Sequence, residues 1–565
     1  MMLYLKVRNN IKLGGDLKLA EREIKHLCGG YIPVIKANAK DVVSFIPYDY
    51  VTSFTRDGNI IGYVVEQTKV EPKKLVRYLS FIQEIWCEKS NFPLPENNYS
   101  MTVGNYKCIV PLMAMSEMLF YCNNIDNMTA QLLLKVLTLK TSSKEIEKSI
   151  CRANTSTPHV HSFHTYKAKF FPRFVRSLIV SSLNVNEQDV TICDPYVGSG
   201  TTLIESSLMG FRSFGMDLDP LSCMISRVKT DALKWKLRDI FFRLNIDQED
   251  IIEEQRIQYT FPVEIQRKFQ RWNNVEEQND YERQITKELR RIAKEDGVLM
   301  EIDKISLSDA LTKKFNIRMM GTGSGRFALD IAKKPLKTIL DVNYRNQTKA
   351  IYVVSILKEL YHIEPQEAIV ENGNAVCRNY EDNFFDIIVT SPPYLPASSG
   401  REDYVVGKLI SLKAMGLLGE EGKERFTTRS VGSMDNLNCK MDFSALPNSV
   451  KVLYDWLMKD ELRRIKAAPI VSYYNSLKES LKEDYRTIKK GGKIIYIIGK
   501  ESIFYSMSTK EILYKVECDK IFEEIAQMVG LKINEIIDVE LDKKNSVARP
   551  RSTDKFYECA IVMSK

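Results

Sequence analysis

The sequence predicts an α/β protein: a mostly parallel sheet with helices on both faces, an N-terminal α+β domain, and helical insertions. Three observations predict it. From about residue 159 the chain runs strand, Gly-rich turn, helix, strand, a rhythm that gives parallel strands covered by helices. Before residue 150 the pattern differs, with short strand-like runs mixed with amphipathic helical ones. The chain has 565 residues, too many for one domain.

Residues 1–150 read as the N-terminal α+β domain, with no role assigned. Leu3-Tyr-Leu-Lys-Val7 alternates like a strand, and Leu17, Leu19, Ala20, Ile24 and Leu27 share one helical face. Residues 51–56 and 60–65 flank Asp57-Gly58, which suits a hairpin turn. Helices are expected near 72–89 and 126–149, and residues 151–158, rich in Ser, Thr and Asn, read as a linker.

In the larger domain, 159–565, the first strand is expected at 190–193, the first helix at 201–209 and the second strand at 213–216. Further strands are expected at 368–370, 385–389, 493–498 and 559–563. Insertions at about 231–345 and 395–470 separate these elements. The first carries mixed charges, as in Tyr281-Glu-Arg-Gln-Ile-Thr-Lys-Glu-Leu-Arg-Arg291, which reads as solvated helix surface.

Composition narrows the class. With 81 basic and 73 acidic residues the formal charge is +8, which permits a polyanionic partner without demanding one. The eleven cysteines are scattered with no CxxC pair, as in a reduced, cytoplasmic protein. The N-terminus has no signal-peptide pattern, and no run of about 18 apolar residues suggests a membrane span.

Two segments carry the chemistry. Asp194-Pro-Tyr-Val-Gly-Ser-Gly-Thr-Thr202 is a Gly-rich turn after a strand. Gly198 and Gly200 let the backbone approach a ligand, and Asp194 at the strand end suits a cationic amine. The segment lacks the Lys of a phosphate loop, which argues against ATP. Alone it suits a generic nucleotide-binding turn equally well, and Asp217 alone suits a helix N-cap. The second segment, Thr390-Ser-Pro-Pro-Tyr394, is a stiff turn after an apolar run. Ser391 and the Pro392 carbonyl suit acceptance of hydrogen bonds from an exocyclic amine, with Pro393 fixing their direction. Tyr394 offers a face for an extruded base. His161 and His164 are metal-ligating types without a third ligand nearby in sequence, so no metal is expected.

Residues 194–202, with their aromatic third position, resemble motif I of the S-adenosylmethionine-dependent DNA amino-methyltransferases. Gly215-Met-Asp-Leu-Asp-Pro220 is similar to the second motif. The segment from His161 to Pro172 is similar to the motif that precedes the first strand, and Thr390–Tyr394 to the catalytic loop. The resemblance covers about 159–230 and 366–565 and not 1–150. It implies a Rossmann-like methyltransferase domain with a seven-stranded sheet, using S-adenosyl-L-methionine. Cofactor contacts would come from Asp194, Tyr196, Gly198, Gly200, Thr201, Asp217, Asn374, Lys169 and Phe170, and catalysis from Ser391, Pro392, Pro393 and Tyr394. Asp217 would take the ribose hydroxyls. Asn374, where the family commonly has Asp, would take the adenine amine.

The family's Ser-Pro-Pro-Tyr form usually goes with cytosine N4, and Asn- or Asp-Pro-Pro-Tyr with adenine N6. The expected substrate is therefore cytosine N4 in a base flipped from double-stranded DNA, with Arg401 and Arg429 as DNA contacts and a cognate restriction endonuclease as companion. No cysteine follows a proline, which excludes cytosine C5 chemistry. The alternatives are adenine N6, an RNA base methyltransferase of the guanine-N2 type whose RNA-binding unit would be 1–150, and an inactive recognition subunit.

Overall fold

The computed structural model describes residues 2–11, 14–52, 55, 58–89, 100–121, 158–166, 169–184, 187, 189–236, 257–319, 327–395, 407–419, 431, 442–506, 508–509, 511–540 and 557–565. Arg401, Arg429, the expected helix at 126–149 and nearly all of the expected linker lie outside these residues.

The N-terminal sheet consists of β1 (Leu3–Val7), β2 (Ile32–Ile35), β3 (Ile60–Val65), β4 (Ile82–Glu88), β5 (Ser100–Val103) and β6 (Tyr106–Ile109). Its order is β2-β3-β1-β4-β6-β5, and every pairing is antiparallel. Two expectations fail here. The expected pairing of 51–56 with 60–65 is not seen in the described residues, which leave out Asp57: Val51 sits in a one-turn helix, Tyr48–Thr52, and the two edges of β3 pair with β1 and β2. Nonlocal partners that bury Val51 completely outweigh the local turn signal. The helix near 72–89 ends at Tyr78, where Leu79 turns extended, and the rest becomes β4. Residues 82–87 are buried on both faces, and such a run reads alike as buried helix or strand.

The second sheet has seven strands. They are β7 (Thr191–Asp194), β8 (Arg212–Asp217), β11 (Ala368–Asn372), β12 (Phe385–Thr390), β13 (Ile488–Gly499), β16 (Lys532–Glu540) and β17 (Tyr557–Ser564). Their order is β11-β8-β7-β12-β13-β17-β16. The first five run parallel, and β17 is antiparallel to both its neighbours. This is a doubly wound, Rossmann-like fold. The chain reverses its direction of winding between β7 and β12, the place where doubly wound sheets bind ligands.

Strand alternation builds two cores. Ile387 and Val389 of β12 face one apolar cluster, and Ile388 faces the other. The first cluster is continuous with the N-terminal sheet, joining Leu5, Ile85 and Leu119 to Leu178, Ile204 and Ile351. Tyr361 Oη also donates to the Val110 carbonyl at 2.7 Å. The part expected as a separate N-terminal unit therefore packs directly on the larger domain.

The first insertion contains helices Val263–Arg271, Val275–Ile292, Gly297–Lys314 and Leu336–Tyr361 and the hairpin β9 (Phe315–Met319) and β10 (Phe327–Ile331); a further antiparallel pair, β14 (Glu501–Tyr505) and β15 (Ile512–Glu517), follows β13. Phe261, Phe269, Ile285, Leu311 and Phe315 give it a core of its own, which Leu409 and Ile410 of the second insertion complete.

Candidate active site

Both motif loops leave the same edge of the sheet. The 194–200 turn follows β7 and the 390–394 turn follows β12, and these strands are parallel neighbours, pairing Ile387 with Ile192 and Ile388 with Cys193. Adjacent strands lie about 4.8 Å apart, so the loops are side by side without any long-range adjustment. One hydrogen bond ties them: Thr390 Oγ1 donates to Asp194 Oδ1 at 2.7 Å. Burial pushes the Asp194 carboxyl up to about 6 against the pull of hydrogen bonds from Thr390, Thr202 and the Tyr196 amide.

The Gly-rich turn is shaped by backbone requirements. Gly200 has φ +81°, and a Cβ there would come 2.4 Å from Ser226 Oγ, so glycine is needed to pack the turn against helix Pro220–Asp231. Gly198 has φ +50°, but its nearest neighbour would be the Tyr166 ring at 3.5 Å. The turn at Gly198 is therefore faced by an aromatic wall, with ordinary contact distance between them. Thr201 opens the helix Thr201–Met209 and is buried, and Tyr196 packs against the second core cluster.

Asp217 ends β8. Its Oδ2 accepts from the Gly198 amide at 3.0 Å and its Oδ1 from the Asp219 amide at 2.9 Å. Burial and the Asp219 carboxylate both raise its pKa. Asp219, not Asp217, is the N-cap of Pro220–Asp231, accepting from the Leu221 amide at 2.9 Å. Asn374 lies two residues beyond β11 at the same edge, where its Oδ1 accepts from the Val376 amide at 3.2 Å.

The segment preceding β7 folds over this edge. Lys169 Nζ donates to the carbonyls of His161 at 2.5 Å and His164 at 3.2 Å, and burial lowers its pKa to about 8. Phe163 is buried and Phe170 packs partly against the first core cluster, while Phe171 is exposed. Phe163 thus belongs to the core, and Phe171 does not.

Several residues here went unnoticed in the sequence. Tyr166 Oη shares a 2.9 Å hydrogen bond with Ser222 Oγ. Lys408, from the second insertion, donates to Asp219 Oδ2 at 2.5 Å and to Tyr166 Oη at 3.2 Å. Despite burial, Asp219 holds the Lys408 ammonium well above its ordinary pKa. No local pattern announces Lys408. The expected pairing of His161 with His164 does not form a ligand set, since His164 Nε2 lies 3.0 Å from Ser308 Oγ; ligand atoms of His159, which the sequence reading passed over, and of His161 and Glu205 lie within 4.8 Å of one another instead, Glu205 being the carboxylate. Both its oxygens are engaged, Oε1 with His161 Nε2 at 2.7 Å and Oε2 with Arg176 Nε at 2.6 Å. Burial opposes ionisation of Glu205, yet Arg176 and His161 bring its pKa down to about 2. The guanidinium already neutralises this carboxylate, so we assign the group to holding the segment against helix Thr201–Met209.

In the second loop Ser391 is half-buried, Pro392 is buried and Tyr394 is exposed. Tyr394 lies along Gly499 at the end of β13, and its hydroxyl donates to Glu558 Oε1 at 2.8 Å. Glu558 begins the antiparallel β17, so a residue at the far end of the sequence reaches the active edge; burial raises its pKa.

No protein-family model matches the sequence. Among curated proteins it is similar to Type II methyltransferase M.MvaI of Kocuria varians, 23% identical over 383 residues, covering 62% of this chain and 79% of that one. It is likewise similar to Type II methyltransferase M.BsoBI of Geobacillus stearothermophilus, 23% identical over 448 residues and covering 68% and 81%. Type II methyltransferase M.MjaII of Methanocaldococcus jannaschii is 29% identical over 164 residues, covering 28% of this chain and 27% of that one. A SAM-dependent methyltransferase structure from Methanosarcina mazei aligns over 69% of this chain and 96% of its own at 10% identity, with a TM-score of 0.25. That superposition is loose, and the fold assignment rests on the strand order. No helix among the described residues is long and apolar enough to cross a membrane.

Proposed function

We propose that this chain, a member of the S-adenosylmethionine-dependent DNA methyltransferases, methylates the exocyclic amine of a base flipped out of double-stranded DNA, and that the base is cytosine, modified at N4. The observation that carries the reading is the Thr390–Asp194 hydrogen bond, which locks the Ser-Pro-Pro-Tyr loop beside the Gly-rich loop. The residues fit the cofactor. Gly198 leaves its face of the turn without a side chain opposite Tyr166, Asp194 would suit the methionyl ammonium, and Asp217 and Asn374, at and just beyond the ends of their strands, would suit the ribose and adenine.

Bound there, S-adenosylmethionine supplies a methyl group on a sulfonium. The protein must make the amine able to attack it, because that lone pair is delocalised into the base ring. Ser391 Oγ and the Pro392 carbonyl accept hydrogen bonds from the NH₂ group and favour a pyramidal nitrogen. The two prolines hold both acceptors in place, so little ordering remains to be done when the base arrives. Tyr394 stacks on the base, its ring steadied by Glu558. Arg401 and Arg429 are proposed DNA contacts, and a restriction endonuclease of the same specificity is the proposed companion.

Offered double-stranded DNA and RNA together with methyl-labelled S-adenosylmethionine, the protein should label the DNA. Label found only in RNA would overturn the reading. Tyr394→Ala should weaken productive engagement of the base by about 1–3 kcal/mol while cofactor affinity stays at the wild-type value. Steady-state kinetics against DNA, with a cofactor titration beside it, checks this.

A further inference from the structure

The β14–β15 pair leaves the active edge directly. β13 ends at Gly499, along which Tyr394 lies, and β14 begins at Glu501. The Asp519 amide closes the base of the pair by donating to the Lys500 carbonyl at 3.2 Å. Trp456 of helix Asn448–Lys459 braces it, stacking on Tyr514 with ring centroids 4.6 Å apart. Tyr505, the far end of β14, is six residues from Gly499 and so at most about 22 Å from it. There the pair meets a turn at residues 460–464, which Asp460 shapes. The Asp460 Oδ1 accepts from the Leu462 and Arg463 amides at 3.0 and 3.2 Å, and its Oδ2 pairs with Arg463 Nη1 at 2.6 Å. The Asp460 carbonyl accepts from the Arg463 and Arg464 amides at 3.0 and 2.9 Å. Arg463 Nη2 then donates to the Tyr505 carbonyl at 2.7 Å, and Tyr505 is paired with Ile512. This well-bonded turn holds Leu462 in solvent, 79% exposed. Ile465, just after the turn, and Ile512, on the strand bonded to it, are exposed as well. A lone exposed leucine needs no explanation, but apolar side chains gathered and fixed at one place mark a contact surface.

We propose that this ridge docks on the DNA duplex beside the flipped base, with Leu462 as a wedge against the base stack and Arg464 on the phosphate backbone. The proposal rests on the reading of the chain as a DNA base methyltransferase. Extruding a base costs stacking and pairing, and an apolar side chain pressed between base steps offsets that cost by opening the stack. Such a wedge has to be stiff, close to the catalytic loop and flanked by positive charge. Asp460 supplies the stiffness. Position follows from the chain path: a turn of duplex is about 34–36 Å long, so DNA whose base reaches Tyr394 also passes over a ridge within about 22 Å of Gly499. Charge follows from sequence: residues 459–466 hold Lys459, Arg463, Arg464 and Lys466 against Asp460 and Glu461, a net charge of +2, and Arg464 is exposed. Position and sign together favour DNA over a protein partner.

The test uses the full chain, S-adenosylmethionine and two synthetic duplexes carrying the site that the protein methylates in plasmid DNA. One duplex has the target base paired and the other has it mispaired, so that part of the opening cost is already met. Leu462→Ala should lower kcat/KM on the paired duplex on the order of 10–100-fold, and the mispaired duplex should restore it to within about 3-fold of the wild-type value. Arg464→Ala should weaken binding of both duplexes alike and reduce the slope of log K against log salt by about 0.9, whereas Leu462→Ala leaves that slope unchanged. Both side chains are exposed and neither substitution touches the Asp460 bonds, so the fold and cofactor affinity should stay at wild-type values. An equal loss on the two duplexes in Leu462→Ala would overturn the wedge, because a merely structural defect is not relieved by a mispair. Unchanged methylation in both variants, with a changed sedimentation coefficient, would assign the ridge to a second copy of the chain and overturn DNA docking. Wild-type protein that methylates no DNA overturns the methyltransferase reading itself, and the wedge with it.

Discussion

Gly198→Val abolishes S-adenosylmethionine binding while the protein stays folded. Gly198 sits at φ +50°, a left-handed conformation that costs a side-chain-bearing residue roughly 1–2 kcal/mol, more when it is β-branched. A Cβ there meets Tyr166 at no less than 3.5 Å, so the strain stays local. The two γ-methyl groups, however, project where the backbone must approach the cofactor. The Gly198 amide also donates to Asp217 Oδ2, so any shift of the turn moves the carboxylate assigned to the ribose. Calorimetry should show no cofactor binding, with a native circular dichroism spectrum and a modest fall in the urea midpoint. Unchanged affinity would place the cofactor elsewhere. Gly200 is a poorer choice for this experiment, because a side chain there collides with Ser226 and disturbs the fold.

The second large effect is on chemistry. Ser391→Ala removes a hydroxyl acceptor and leaves the Pro392 carbonyl. Loss of one such contact to developing charge typically lowers a rate on the order of 10²–10³-fold. Single-turnover methylation should fall by that factor. Cofactor affinity should not change, because the hydrogen bond between the loops comes from Thr390, which the substitution leaves alone. A near-normal rate would reduce Thr390–Tyr394 to a structural turn.

The parallel sheet was legible because buried parallel strands are short apolar runs bounded by Gly and Pro, and because the chemistry sits where such strands end. The helix at Thr201–Met209 and the strands β7, β8 and β12 follow from that grammar. The N-terminal sheet was harder. The run containing Trp86 is buried on both faces, so its periodicity carries no choice between helix and strand. Asp57-Gly58 misled because turn chemistry is local and pairing partners are not. At the site, residues within motifs were found and residues reaching it from elsewhere were not. Lys408 and Glu558 come to the active edge from beyond the catalytic loop.

The methyl acceptor proposed above is a base amine. The most direct test digests DNA methylated by the purified protein to nucleosides and separates them by mass spectrometry. N4-methylcytosine is the predicted product. N6-methyladenine would keep the mechanism and correct the base, whereas 5-methylcytosine, or DNA that carries no methylated nucleoside, would contradict the account.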